Sequence, residues 1–127
     1  KHYQQLYLIK KHIEKRKIKS EIIECETIRE NNGVALSTRN SNLDKNQIKI
    51  ASNIYLYLRN LKKKIKKKYN FFNLNKIKKD LKDLGVRKID YLENYNTKNF
   101  KKIKRQSKKF NLFIAYYIKN VRLIDNI

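Results

Sequence analysis

Two short segments of the chain hold side chains that could bind anions. Residues 1–5 read Lys-His-Tyr-Gln-Gln and place an ammonium, an imidazole and two carboxamides at a predicted helix start, where unpaired backbone N–H groups favour negative charge. Residues 37–40 read Ser-Thr-Arg-Asn and lie between a turn and a helix. Hydroxyls, N–H groups and a guanidinium can converge there on phosphate oxygens. An exposed helix turn and a polar loop are the ordinary alternatives.

A third feature is the lysine run at residues 62–68, which has aromatic residues nearby. Together they could contact nucleic acid through phosphate pairing and base stacking. The chain has 33 Lys and Arg against 11 Asp and Glu, a net charge of +22. Because Lys, Asn and Ile dominate throughout, part of this charge reflects compositional drift, and a solvated helix face is the favoured interpretation. The aromatic residues are Tyr55, Tyr57, Tyr69, Phe71 and Phe72.

Other chemistries lack the necessary residues. His2 and His12 would lie about 15 Å apart along a helix, too far to share a metal. Cys25 is the single cysteine, so a disulfide within the chain and a cysteine-based zinc site are excluded. Gly33 and Gly85 are the two glycines, too few for a glycine-rich phosphate loop. We therefore expect no resident metal.

The length of 127 residues fits one domain-sized module, and 40% hydrophobic residues suffice for a modest core. No apolar run approaches the roughly 20 residues that span a bilayer, and we expect no signal peptide at the start. We expect a soluble, cytoplasmic protein without membrane contacts. Because the sequence contains no methionine, we expect it to be a piece of a longer protein.

The elements that position the first segment are a helix and a strand. A helix is predicted from Tyr3 to about Lys17, because Leu6, Ile9 and Ile13 recur at helical spacing. Residues 20–26 predict a short, partly buried strand with Cys25 as an inert packed thiol. Residues 31–33, Asn-Asn-Gly, then predict a tight turn.

Two further helices and a small sheet are predicted after the second segment. Asp44 and Gln47 resemble an N-terminal cap. Asn73 caps the next helix, and Gly85 follows its end. Apolar runs at residues 86–92, 112–118 and 121–124 predict a mostly antiparallel sheet, with a hairpin turn at residues 119–120. The apolar face of the first of these helices comprises Ile48, Ala51, Ile54, Tyr55, Leu58, Leu61 and Ile65.

Four motifs in this order resemble the C-terminal half of the pantothenate synthetase (pantoate–β-alanine ligase) family. They are residues 1–6 (KHYQQL), 27–40 (TIRENNGVALSTRN), 90–93 (DYLE) and 122–126 (RLIDN). The resemblance covers essentially the whole chain. It implies an α/β parent enzyme with a Rossmann-like nucleotidyltransferase domain. Residues 1–40 would end that domain, and residues 41–127 would form a C-terminal α+β lid domain with a small antiparallel sheet.

The resemblance also implies a reaction. The family joins pantoate to β-alanine with ATP and an accompanying Mg²⁺. The pantoate carboxylate attacks the α-phosphate of ATP to give pantoyl adenylate and pyrophosphate. The amine of β-alanine then displaces AMP.

Site residues follow from the same alignment of motifs. Lys1 matches the family's lysine that contacts the ATP phosphates. His2 replaces the family's usual aspartate, which holds the nucleotide. Gln5 falls on a pantoate-binding glutamine, and Ile28 on a position whose backbone meets adenine. The remaining site residues match the phosphate-binding loop, where Thr38 replaces a serine and keeps its hydroxyl. They are Leu36, Ser37, Thr38 and Arg39. Lys1, Ser37, Thr38 and Arg39 would stabilise phosphate charge.

The resemblance implies a missing N-terminal half, present in cis or in trans, without which the chain is expected to be inactive. A homodimer is left open, and no specific nucleic acid is expected. Two other interpretations remain at this point. One is a small basic RNA-binding or ribosome-associated protein, and the other is a folded relic without chemistry.

Overall fold

The computed structural model describes residues 2–68, 72–103, 107 and 109–127. Within this part, helices precede a three-stranded sheet. The elements, in chain order, are α1 (Tyr3–Arg16), a 3-10 turn (Thr38–Asn42), α2 (Lys45–Lys67), α3 (Leu74–Asp83), β1 (Lys88–Asn96), β2 (Phe110–Ile118) and β3 (Val121–Asn126). None of the helices in the described residues is long and apolar enough to cross a membrane.

The sheet is antiparallel, with β2 between β1 and β3. Ile118 pairs with Val121, so a two-residue turn joins β2 to β3, and Lys119 adopts a positive φ of 48° there. The predicted hairpin is confirmed. The register of β1 shifts between Ile89 and Tyr91, an irregularity that interrupts the pairing near the start of this strand.

Helix α2 provides most of the apolar layer that covers the sheet. It begins with a capping box, in which Asp44 accepts a hydrogen bond from the Gln47 N–H and the Gln47 side chain accepts one from the Asp44 N–H. The predicted cap is therefore confirmed. Its buried apolar residues recur at helical spacing and join the β2 side chains in one core. They are Ala51, Ile54, Leu58, Leu61 and Ile65.

Helix α3 also has the predicted ends. The Asn73 side chain accepts a hydrogen bond from the Lys76 N–H at 3.1 Å. Gly85 follows the last turn with a φ of +109°, a left-handed conformation that glycine adopts without steric cost. Ile77 and Leu81 are buried against the same core as α2.

Helix α1 has the predicted bounds, yet none of its residues is buried. Tyr3 donates a hydrogen bond to the Thr97 carbonyl, and its ring lies 5.9 Å from that of Phe113. The Tyr7 ring stacks on Phe100 at 5.1 Å. Aromatic side chains therefore fix α1 at one end, while Ile9 stays 53% exposed.

The strand predicted at residues 20–26 is wrong. These residues adopt no regular structure, Ile23 is 79% exposed, and Cys25 is exposed rather than packed. A strand requires a neighbour that supplies ladder hydrogen bonds. Among the described residues, β2 pairs with β1 and β3, and none of these strands pairs with this segment.

Candidate functional site

A small hairpin formed by residues 28–36 builds the first part of the site. The Leu36 N–H donates to the Ile28 carbonyl at 2.9 Å, and the Glu30 N–H donates to the Val34 carbonyl at 2.9 Å. Gly33 makes the turn with a φ of +86°, as the Asn-Asn-Gly pattern predicts. The hairpin therefore places Ile28 beside Leu36, immediately before residues 37–39.

Arg29 fixes this hairpin to the last strand. Its guanidinium donates to both carboxylate oxygens of Asp125, at 2.7 and 3.0 Å, and to the Asn126 carbonyl at 3.2 Å. It also lies 4.5 Å from the centre of the Tyr55 ring. Burial lowers the pKa of Arg29, but the hydrogen bond and charge of Asp125 raise that pKa overall. A bidentate, largely buried pair of this kind defines one orientation of the hairpin.

Helix α2 and Asn40 support the same hairpin from two further sides. Ser52 of α2 donates to the Asn32 carbonyl at 2.8 Å. The Asn40 amide donates to Glu30 at 2.6 Å and to the Ala35 carbonyl at 3.1 Å. Asn40 is buried, and its side-chain Oδ1 has no hydrogen-bond partner among the described residues.

The loop after the hairpin presents its polar groups outward. The Ser37 hydroxyl accepts a hydrogen bond from the Arg39 N–H at 3.3 Å and begins the 3-10 turn. Thr38 and Arg39 are exposed. Within the described residues, the Arg39 guanidinium takes part in no ion pair. Ser37 and Arg39 line a cavity of about 20 Å³, room for one water molecule.

A much larger open cleft of about 910 Å³ lies between α1 and α2. His2 and Tyr3 line it on one side, and α2 contributes mostly cationic side chains on the other. Tyr55 and Ile127 line both the cleft and the small cavity. The two spaces are therefore neighbours, with the Tyr55 ring at their boundary.

The structure brings most of the predicted nucleotide-binding residues together. Ile28 and Leu36 are hydrogen-bonded neighbours, and Ser37, Thr38 and Arg39 follow directly. Ile28 is 71% exposed, and Leu36 is 55% exposed.

The residues predicted at the start of α1 are not part of this group. His2 lines the cleft, whereas Gln5 is exposed and does not line it. Lys1 lies outside the described residues.

The described residues give no support to a metal site or to a surface on which nucleic-acid bases stack. The described residues contain no group of three or more His, Cys, Asp or Glu that could hold a metal ion. Tyr55 contacts Arg29, Tyr57 donates to Asp80 at 2.7 Å, and Phe72 packs against the core. These three aromatics are used within the fold, and Tyr69 and Phe71 lie outside the described residues.

Sequence reasoning assigned no role to the groups that orient the site. Arg29 and Asp125 are 96 positions apart, and no local periodicity connects them. Arg29 and Asp125 both lie in motifs that carry the family resemblance. Their place in these motifs is the one feature of the sequence that could have indicated a role for them. Tyr55 was placed on the apolar face of α2, but its contact with Arg29 depends on how the hairpin packs.

Comparisons with known proteins agree on one family. The profile described as pantoate–beta-alanine ligase matches residues 1–127. The pantothenate synthetase of Ruthia magnifica is 40% identical over 128 residues, which cover 100% of this chain and 45% of that protein. The pantothenate synthetase of Christiangramia forsetii is 35% identical, with coverage of 100% and 46%.

Solved structures give the same result. The pantoate–beta-alanine ligase of Francisella tularensis, solved in complex with beta-gamma ATP and beta-alanine, is 35% identical with a TM-score of 0.68. It is covered to 40% by this chain. A pantothenate synthetase from Thermus thermophilus has a TM-score of 0.83 at 24% identity, which supports the fold alone. The chain spans slightly less than half the length of the relatives it matches.

Proposed function

Because this chain belongs to the pantoate–β-alanine ligase family, we propose that it carries the C-terminal part of such an enzyme's active site. The order of its motifs supports the C-terminal assignment. The complete enzyme would condense pantoate with β-alanine through a pantoyl adenylate, using ATP. The N-terminal half of the enzyme, in cis or in trans, would supply the remaining groups.

The proposed domain boundary lies between residues 40 and 41. Among the described residues before Ser41, Val34 and Ala35 are the buried apolar residues. The remaining core belongs to residues 43–123. Most of the core therefore lies on the lid side of the proposed boundary, and Val34 of the preceding segment packs into that same core.

The observation that carries the proposal is the hairpin with its adjoining loop. It places the Ile28 backbone, the proposed adenine contact, next to Leu36 and the loop formed by Ser37, Thr38 and Arg39. Such an arrangement suits a nucleotide, because it offers backbone groups and exposed apolar side chains to the base and cationic and hydroxyl groups to the phosphates.

In the proposed adenylation step, a pantoate carboxylate oxygen attacks the α-phosphorus of ATP. The bond from that phosphorus to the bridging oxygen breaks, and pyrophosphate leaves with the bonding electrons. Arg39, Ser37 and Thr38, together with Lys1, would stabilise the charge that develops on the phosphates. No general base is needed, because the nucleophile is already a carboxylate.

The remaining assignments concern substrates. Gln5 would hydrogen-bond pantoate, because a carboxamide both donates to and accepts from a hydroxy acid. His2 would stand at the nucleotide. Mg²⁺ would arrive bound to the ATP phosphates as part of the substrate.

A chimeric enzyme tests this function. The chain would replace the 128 matched residues of the Ruthia magnifica pantothenate synthetase, and AMP release would be measured with pantoate and β-alanine present. We expect turnover that requires both substrates. Arg39→Ala should lower kcat by roughly 100-fold, the effect of removing one group that stabilises transition-state charge.

Arg16→Ala is the matched control, because Arg16 is an exposed residue at the end of α1. It should leave turnover unchanged. A folded chimera without pantothenate formation would favour the relic instead, and unchanged turnover in the Arg39 variant would remove Arg39 from the site.

A further inference from the structure

One face of α2 forms a cationic wall along the cleft. Arg59, Lys62, Lys63 and Lys66 all line it, and each of them lies three or four residues from two of the others. In a helix this spacing places side chains on a common face. Tyr55, one turn earlier, continues the same face and borders the cavity lined by Ser37 and Arg39. The cationic wall therefore begins beside the loop at residues 37–39.

Few carboxylates are available to neutralise this wall. Glu24 and Glu26 line the cleft from the extended segment after α1, and Glu24 pairs with Lys10. Arg29, also in the cleft, is held by Asp125. No ion pair between described residues involves Arg59, Lys62 or Lys63. Like charges grouped on one helix face repel, and an anion bound between them removes that cost.

Lys62 is the fixed member of the cationic wall. Its ammonium donates to Oδ1 of Asn111 on β2 at 2.8 Å, which holds it at the junction of helix and sheet. Burial, and secondarily the charge of Lys66, lower the pKa of Lys62 to about 8. A cation held in this way is partly desolvated before any ligand arrives and interacts more strongly with an anion than a solvated one does.

We propose that the cationic wall of α2 binds the β- and γ-phosphates of ATP and, after adenylation, the released pyrophosphate. This inference rests on the proposed function. The cationic wall, which faces α1 across the cleft, would be a second phosphate-binding surface besides the loop at residues 37–39. A compact polyphosphate fits the wall, because Arg59 and Lys66 are separated by about 10 Å along the helix axis and the phosphate loop lies at one end.

Pyrophosphate binding to the 127-residue chain tests the inference directly. Affinity would be measured by isothermal titration calorimetry for Arg59→Gln/Lys63→Gln and for Lys64→Gln/Lys67→Gln. Both variants remove two positive charges from exposed positions of α2, but Lys64 and Lys67 do not line the cleft. We expect the first variant to bind pyrophosphate roughly tenfold or more weakly and the second to change affinity by less than about twofold.

Several outcomes decide between alternatives. Equal losses of pyrophosphate affinity in both variants would overturn the inference, because they would indicate attraction by net charge alone. Loss of oligo(U) binding in the first variant without loss of pyrophosphate binding would overturn it in favour of a nucleic-acid surface. AMP, which lacks the β- and γ-phosphates, should bind both variants equally, and an Arg59/Lys63-dependent loss of AMP affinity would contradict the assignment.

The same variants in the chimera separate this inference from the proposed function. Arg59→Gln/Lys63→Gln should raise the inhibition constant of pyrophosphate by roughly tenfold. An inactive chimera with wall-dependent pyrophosphate binding by the chain would refute the ligase function but retain the binding site. An active chimera whose pyrophosphate inhibition is unaffected would refute the binding site alone.

Discussion

Residues 2–40 and the described residues from 41 onward use their apolar side chains in opposite ways. The later region buries them in one core shared by α2, α3 and the sheet. The earlier region buries Val34 and Ala35 and exposes most of its larger apolar residues. These exposed residues are Leu8, Ile9, Ile18, Ile23, Ile28 and Leu36.

This difference separates helix formation from tertiary burial. Helix α1 has the periodicity of an amphipathic helix and forms as predicted, but no residue in it is buried. Helix α2 has the same kind of periodicity and places its stripe against β2. An amphipathic pattern therefore predicts a helix face that is able to pack, whereas the available neighbours determine whether it does.

The largest expected difference between the two regions concerns stability. Ile54 is fully buried, and Ile23 is 79% exposed. Ile54→Ala should lower the free energy of unfolding by about 3–4 kcal/mol, because it leaves a cavity in the core. Ile23→Ala should change it by less than about 0.5 kcal/mol. Urea unfolding followed by circular dichroism would measure the free energy of unfolding of both variants. Equal losses would contradict the difference in burial between the two regions.

The hairpin turn provides the next largest effect. A Cβ on Gly33 would lie 2.3 Å from the Tyr55 ring, at a φ of +86°. Gly33→Ala should cost about 3 kcal/mol, since the steric conflict adds to the backbone strain. In a Tyr55→Ala background the same substitution should cost less, because the ring is gone. Identical costs in the two backgrounds would show that Tyr55 does not contact the turn.

The ion pair that joins the two regions should have a smaller effect. Asp125→Asn removes the charge opposite Arg29, whose side chain is 20% exposed, and should cost about 2 kcal/mol. Hydrogen exchange would test its location. Faster exchange at residues 28–36, with the amides of α2 unchanged, is expected, whereas uniform acceleration would mean that the pair stabilises the whole fold.

The smallest effect depends on pH and belongs to the later region. The pKa of Lys62 is lowered to about 8 in the folded chain, so the unfolded chain binds more protons at this residue between about pH 8 and 10. The stability contribution of Lys62 therefore increases as pH rises through this window. Lys62→Met should be more stable than the natural chain at pH 7.

The difference in urea midpoint between the Lys62→Met variant and the natural chain should narrow by pH 10. A Lys64→Met control should show a difference that does not depend on pH, because Lys64 is exposed. A constant difference for both variants would contradict the burial of Lys62.

Local sequence determined the helices, the N-terminal caps of α2 and α3, and the hairpin turns. Each depends on short-range chemistry, such as the Asp44–Gln47 capping box and the left-handed conformation of Gly85. The helices, caps and turns need no knowledge of distant neighbours, and the structure retains them. The sequence also predicted, through motifs that resemble one family, which residues bind nucleotide, and this assignment stays a prediction.

Tertiary structure decided which apolar residues are buried and how the site is oriented. Residues 20–26 have the composition of a strand, but no described strand pairs with them, and their apolar side chains stay exposed. Arg29 contacts Asp125 across 96 positions, and Lys62 meets Asn111 across 49. Strand pairing, buried ion pairs and desolvated cations all require partners distant in sequence, so only the folded chain specifies them.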